Sequence, residues 1–100
     1  MMRLLKNKSS DGNEITISLP EKFDFQLHKE FREAYEEKDV KSLVLDMNKT
    51  RYMDSSALGM LLQLKEYTDK NNSEISIRNA SKNVLQIIQI AHFDKLFKVA

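Results

Sequence analysis

The chain reads as a single α/β domain built on a mixed sheet, and three features of its 100 residues carry that reading. Short apolar segments, alternating or β-branched, recur at Glu14–Leu19 (EITISL), Ser42–Met47 (SLVLDM) and Glu74–Asn79 (EISIRN), each of strand length. Segments of helical spacing stand between them, as crossovers between parallel strands require. The length suits one hydrophobic core and leaves no room for a second.

Each element has a local cause. MRLLKNK, residues 2–8, precedes the turn chemistry SSDGN, in which Asp11 and Gly12 readily take positive φ, so it reads as the first strand of a hairpin. In EITISL, Ile15, Ile17 and Leu19 fall on one side of a half-buried strand. Beyond Pro20, Asp24 is placed to cap a helix whose Leu27, Phe31, Ala34 and Tyr35 share a face. Lys29, Glu30, Arg32, Glu33 and Glu36 form the solvated side of that helix. SLVLDM is apolar without strict alternation and is expected mid-sheet, buried on both faces. A second helix is expected from Ser55 to Asp69, ended by the polar turn DKNNS. Ile75 and Ile77 face alike in the next strand, and Ser81 caps a third helix to Ala91 with Val84, Ile87, Ile88 and Ala91 on one face. The closing FDKLFKVA brings Phe93, Leu96, Phe97 and Val99 onto the core as a helical turn followed by a short strand.

Composition narrows the function. Lys and Arg number 16 against 15 Asp and Glu, a formal net charge of +1, so no bulk charge draws the chain to nucleic acid or a membrane surface. Cysteine is absent, which removes thiol catalysis, thiolate metal sites and disulfides, and fits a reducing compartment. MMRLLKNKSS lacks the apolar core of a secretory signal, and no run approaches the ~20 apolar residues of a membrane span. The expectation is a cytoplasmic protein, full length as given, without internal repeats or low-complexity linkers.

The stretch with most chemical content is Arg51 to Leu62, RYMDSSALGMLL. A nucleophilic serine needs a base, and the histidines are His28, inside the first helix, and His92, near the C-terminus; no G-x-S-x-G elbow surrounds Ser55 or Ser56. Glycine occurs only at Gly12 and Gly59, so no glycine-rich phosphate cradle exists, and two unpaired histidines make a poor metal site. The sequence therefore argues against catalysis, a metal or a cofactor. Locally, Asp54 is a helix N-cap whose charge suits the positive end of the helix dipole. The helix is apolar around well over half its circumference through Ala57, Leu58, Met60, Leu61, Leu62, Leu64 and Tyr67. That breadth fits either deep burial on a sheet or an apolar arc left for a partner.

The run YMDSSALGMLL, with SLVLDM upstream and FDKLFKVA at the end, resembles a STAS domain, the module of bacterial anti-anti-sigma factors (anti-sigma factor antagonists) and of sulfate transporter tails. The resemblance spans nearly the whole chain and is most specific in D-S-S-x-L-G at Asp54 to Gly59. It implies the STAS fold, a central mixed sheet of four to five strands with helices packed against it. It also implies a non-enzymatic switch that binds an anti-sigma factor or related regulator when unphosphorylated. Ser55, directly after the aspartate, takes the position phosphorylated by an anti-sigma-type serine kinase, and a PP2C-type phosphatase would reset it. Asp24, in KFDF, matches the family's acidic residue before the first helix, and the implied partner surface comprises Asp24, Asp54, Ser55, Ser56 and Met60. Ser56, about 100° further round the helix, is the natural decoy, with a hydroxyl free to hold Ser55 or cap a neighbouring amide. The text is most similar to small stand-alone regulators of gammaproteobacteria whose output is motility or biofilm control. The other expectation is a constitutive binding subunit of a transport or scaffold assembly, with Ser55 only structural. Two departures stand out: Ala57 where many members have glycine, and an end at Ala100 where many continue into a further helix.

Overall fold

In the computed structural model, which describes residues 4–99, β1 (Leu5–Lys8) and β2 (Glu14–Ser18) form an antiparallel hairpin with Leu5 opposite Ser18 and Lys8 opposite Ile15. The turn is held by Asp11, whose Oδ1 accepts from the Ser9 hydroxyl (2.6 Å) and the Asn13 amide (3.0 Å), while Gly12 takes φ +76°. Met2 and Arg3, expected in the first strand, and Ala100 lie outside the described residues. Along the chain follow β3 (Lys22–Phe23), α1 (His28–Tyr35), β4 (Ser42–Asp46), β5 (Tyr52–Met53), α2 (Ser55–Lys70), β6 (Glu74–Arg78), α3 (Lys82–Ile90) and β7 (Lys98–Val99). Single 3-10 turns at Phe25–Leu27 and Phe93–Lys95 precede α1 and β7.

The main sheet has the order β1-β2-β4-β6-β7, antiparallel at its first pair and parallel thereafter. It is the mixed five-stranded α/β architecture expected. Strands added in chain order through same-handed crossovers place the crossover helices on one face. On that face Ile15, Leu43 and Ile75 stand in one row and Ile17, Leu45, Ile77 and Val99 in the next. The first six are at most 7% exposed and form the core with Phe31, Leu61, Leu64, Val84 and Ile88 from the helices. The opposite face carries Thr16, Ser18, Ser42, Asp46 and Ser76, half-exposed, around Val44. Val44 is 2% exposed yet separate from the core cluster, so the central strand is buried on both sides, as its apolar run predicts. A strand order that never reverses has no switch point, the place where α/β sheets open a ligand crevice.

Packing between layers is aromatic. Ring centroids of Phe23 and Phe31 lie 5.2 Å apart, Phe31 and Tyr35 5.3 Å, and Tyr35 and Tyr67 5.3 Å, a ladder from β3 across α1 to α2. The Tyr67 hydroxyl donates to the Glu37 carbonyl at 3.1 Å. The Glu37 carboxylate in turn receives Lys6 and, at 2.8 Å, Lys8 from the edge strand β1, which hold its pKa below the usual value. Ser81 caps α3 by accepting from the Val84 amide at 3.3 Å, where the sequence places the cap.

Candidate functional site

A second, two-stranded sheet, β3 with β5, builds the site. Thr50, fully buried, donates its hydroxyl to the carbonyl of Pro20 at 3.0 Å and lies 3.4 Å from that of Leu19. The Arg51 and Tyr52 amides then donate to the Glu21 carbonyl at 2.9 and 3.1 Å. These bonds bring two distant segments together in parallel, with Lys22 opposite Tyr52 and Phe23 opposite Met53. Phe23 and Met53 turn into the core, at 0% and 5% exposure. One residue beyond each lies an aspartate in extended backbone, Asp24 and Asp54, so two helical segments start side by side.

Both aspartates are caps. Asp24 Oδ1 accepts from the Gln26 amide at 3.0 Å and starts the 3-10 turn that runs into α1, so it caps the turn rather than the α-helix itself. Asp54 Oδ1 accepts from the Ser56 hydroxyl at 2.5 Å and the Ala57 amide at 2.9 Å. The Ser56 hydroxyl first, and the Ala57 amide second, hold the Asp54 carboxyl below its ordinary value and keep it ionised. Ser56 is thereby engaged. Ser55 is exposed, and among the described residues its hydroxyl has no hydrogen-bond partner.

Met60 is not on this surface. It is 4% exposed and packs in the core with Ala57, Leu61 and Leu64, because five residues of helix turn it about 140° away from Ser55. The side of α2 that Ser55 shares is formed by Gly59 and Leu62, both exposed, at spacings of four and three. Helix arithmetic on the sequence contains that ridge. The breadth of the apolar arc hid it, since Met60 and Leu62 look equivalent until the sheet selects one. The apolar arc is therefore mostly buried, with Leu62 left out at 43% exposure.

Two more apolar side chains flank the caps. Phe25, 64% exposed, stacks on His28 with ring centroids 5.0 Å apart, and its turn packs against α2. Tyr52, opposite Lys22, is 51% exposed. A shallow hollow beside Phe25 is lined by Pro20, Glu21, Lys22, Asp24, Gln26 and Leu27. Among the described residues no group of three or more His, Cys, Asp or Glu stands close enough to hold a metal, and no helix is long and apolar enough to cross a membrane.

The family model for the STAS domain matches residues 7–100. The chain belongs to the STAS family. A STAS-domain containing protein of Pseudomonas aeruginosa is 43% identical over 94 residues, covering 92% of this chain and 93% of the relative. The STAS fold is also that of the anti-sigma factor antagonist SpoIIAA in its unphosphorylated form, with TM-score 0.80, 17% identity, and coverage of 98% of this chain and 88% of that one. A sulfate transporter family protein from Wolinella succinogenes matches with TM-score 0.78 and 14% identity over 92% of this chain and 84% of that one. At such identities the two solved structures attest the STAS fold alone.

Proposed function

We propose that this STAS chain is a phospho-regulated protein-binding switch of the anti-sigma factor antagonist type. In this reading its unphosphorylated form binds an anti-sigma factor or related regulator, and Ser55 is the phosphorylated residue. The observation that carries the reading is the division of labour between the two serines: Ser56 is bonded to Asp54, while the Ser55 hydroxyl is exposed and unengaged at the start of a 16-residue helix. The named relation to an unphosphorylated anti-sigma factor antagonist adds support.

A phosphate on Ser55 brings roughly −1.5 to −2 charge at neutral pH. The helix dipole favours an anion at this end, so the fold keeps its shape. The surface changes instead. A dianion beside ionised Asp54 has to be desolvated against a neutral partner, and a buried mispaired charge costs about 2–5 kcal/mol. At ~1.4 kcal/mol per tenfold that is roughly 30-fold to several thousand-fold weaker binding. Base, magnesium and nucleotide belong to the kinase, an anti-sigma-type serine kinase, and reset to a PP2C-type phosphatase. Control of motility or biofilm formation is the output that the sequence resemblance supports.

Intact-mass and peptide-level mass spectrometry of the chain from its own cells, wild type beside Ser55→Ala under two growth conditions, tests the proposal. The expected result is a phosphate on the Ser55 peptide that varies with condition and is lost in the variant. An unmodified site in every condition where the protein functions refutes it. The likeness to a sulfate transporter family protein favours a second reading, a constitutive subunit of a transport assembly. That reading predicts tight association that Ser55→Asp leaves unchanged.

A further inference from the structure

Ser55 and Ser56 are neighbours, yet the fold binds one hydroxyl and leaves the other free. Ser56 Oγ donates to Asp54 Oδ1 at 2.5 Å, a length typical of a hydroxyl on a charged acceptor. The Ala57 amide reaches the same oxygen at 2.9 Å, so two donors converge on one carboxylate oxygen. Met53 and Ala57, on either side of the corner, are 5% and 0% exposed, which pins the backbone there and leaves the freedom to the side chains. Asp54 is half-buried, open enough to turn once a donor is lost.

A hydroxyl carries one proton. When a serine is phosphorylated, its Oγ bonds to the γ-phosphorus of a nucleoside triphosphate and the bond from that phosphorus to the bridging oxygen breaks. The nucleoside diphosphate leaves, and the serine proton goes to a base of the kinase. Ser56 has committed its proton to Asp54, whereas exposed Ser55 has kept its own.

We propose that Ser56 is a positioning residue for the phosphorylation of Ser55. Acting through Asp54, its hydroxyl holds the carboxylate over the first turn of α2, keeps it from the Ser55 hydroxyl and withdraws Ser56 itself as an acceptor. The inference rests on the reading of Ser55 as the switch. Without the Ser56 hydroxyl, Asp54 keeps one donor fewer and turns to the Ser55 hydroxyl one residue away, which then donates its proton within the chain instead of to the kinase.

The test compares wild type with Ser56→Ala, Ser56→Thr and Ser81→Ala, the last removing the cap of α3 away from the corner. Three quantities are read: Ser55 phosphate occupancy in the protein's own cells, the Asp54 carboxyl titration by NMR, and thermal unfolding of the purified chains. Ser56→Ala is expected to stay folded, melting roughly 4–8 °C early for one lost hydrogen bond. It should lower Ser55 occupancy at least fivefold and move the Asp54 titration up toward the ordinary carboxylate value. Ser56→Thr, which keeps the hydroxyl, restores both, and Ser81→Ala leaves both as in wild type. Occupancy within twofold of wild type in Ser56→Ala, an equal loss in Ser81→Ala, or no rescue by threonine overturns the positioning role and leaves the switch standing. Phosphate on Ser56 in wild type overturns it as well. No phosphate on either serine in wild type overturns both readings.

Discussion

Replacing Thr50 by valine keeps the branched shape of the side chain and removes one oxygen. Among the described residues that oxygen is the only side-chain donor reaching the carbonyls of Leu19 and Pro20, at 3.4 and 3.0 Å, and Thr50 has no exposure through which water could substitute. Leaving a buried acceptor unpaired costs about 1–3 kcal/mol. For a domain of this size ~1 kcal/mol lowers the melting temperature by about 4–8 °C, so Thr50→Val is expected to melt roughly 4–24 °C early. Thr50→Ser keeps the donor and loses one methyl, a change of about 0.5–1.5 kcal/mol, and should fall between valine and wild type. The site gives a second readout. The Arg51 and Tyr52 amides, bonded to Glu21 beside Thr50, should exchange hydrogen faster in the valine variant than the amides of β4. Urea unfolding with an unchanged m-value, thermal melting and amide exchange measure these effects. A valine variant as stable as wild type, or a serine variant less stable than valine, refutes the argument that this hydroxyl holds β3 and β5 together.

Acid should weaken the fold. Asp11, Glu37 and Asp54 each have a folded-state pKa below the ordinary value, through the Ser9 hydroxyl, the Lys6 and Lys8 ammoniums and the Ser56 hydroxyl respectively. A lowered carboxylate pKa contributes stability that is present above the unfolded value and lost as pH falls through the folded one. The urea midpoint should therefore hold steady from about pH 7 to 5 and decline below about pH 4; a midpoint that rises on acidification refutes the assignment. Glu37→Gln should cost about 0.5–1 kcal/mol at low salt, since both lysine pairs are partly exposed, and less at 1 M salt, where the Debye length is ~3 Å. A loss of equal size at both salt concentrations would mean that Glu37 acts through packing.

Much of this was legible in the sequence for identifiable reasons. The alternation of Ile15 with Ile17 and of Ile75 with Ile77 marks strands that end within a residue of those observed, because one sheet face is apolar and the other polar. Asp54 and Ser81 could be placed as caps because cap chemistry is local. What escaped is non-local. Lys22–Phe23 and Tyr52–Met53 are too short to carry a period, and their pairing depends on bonds between residues 30 apart, Glu21 with Arg51 and Pro20 with Thr50. The resemblance puts Met60 on the partner surface and the sheet buries it instead, because an apolar arc says how much of a helix can be buried and not which part the sheet selects. The exposed serine was readable as a residue, but its contrast with Ser56 was not, since the geometry of the helix start decides which hydroxyl Asp54 takes.

The strand order has a consequence for synthesis. From β4 onward each strand of the main sheet pairs with the main-sheet strand made just before it, with a helix in between. A ribosome releasing the chain from its N-terminus therefore delivers every strand to a neighbour already in place, and no early strand waits for a late one to be inserted beside it. The exposed growing edge moves with the emerging chain. A nascent chain halted beyond Arg78, with enough tether to clear the exit tunnel, should already protect β2 and β4 from protease, and protection absent until β7 has emerged would contradict assembly in that order.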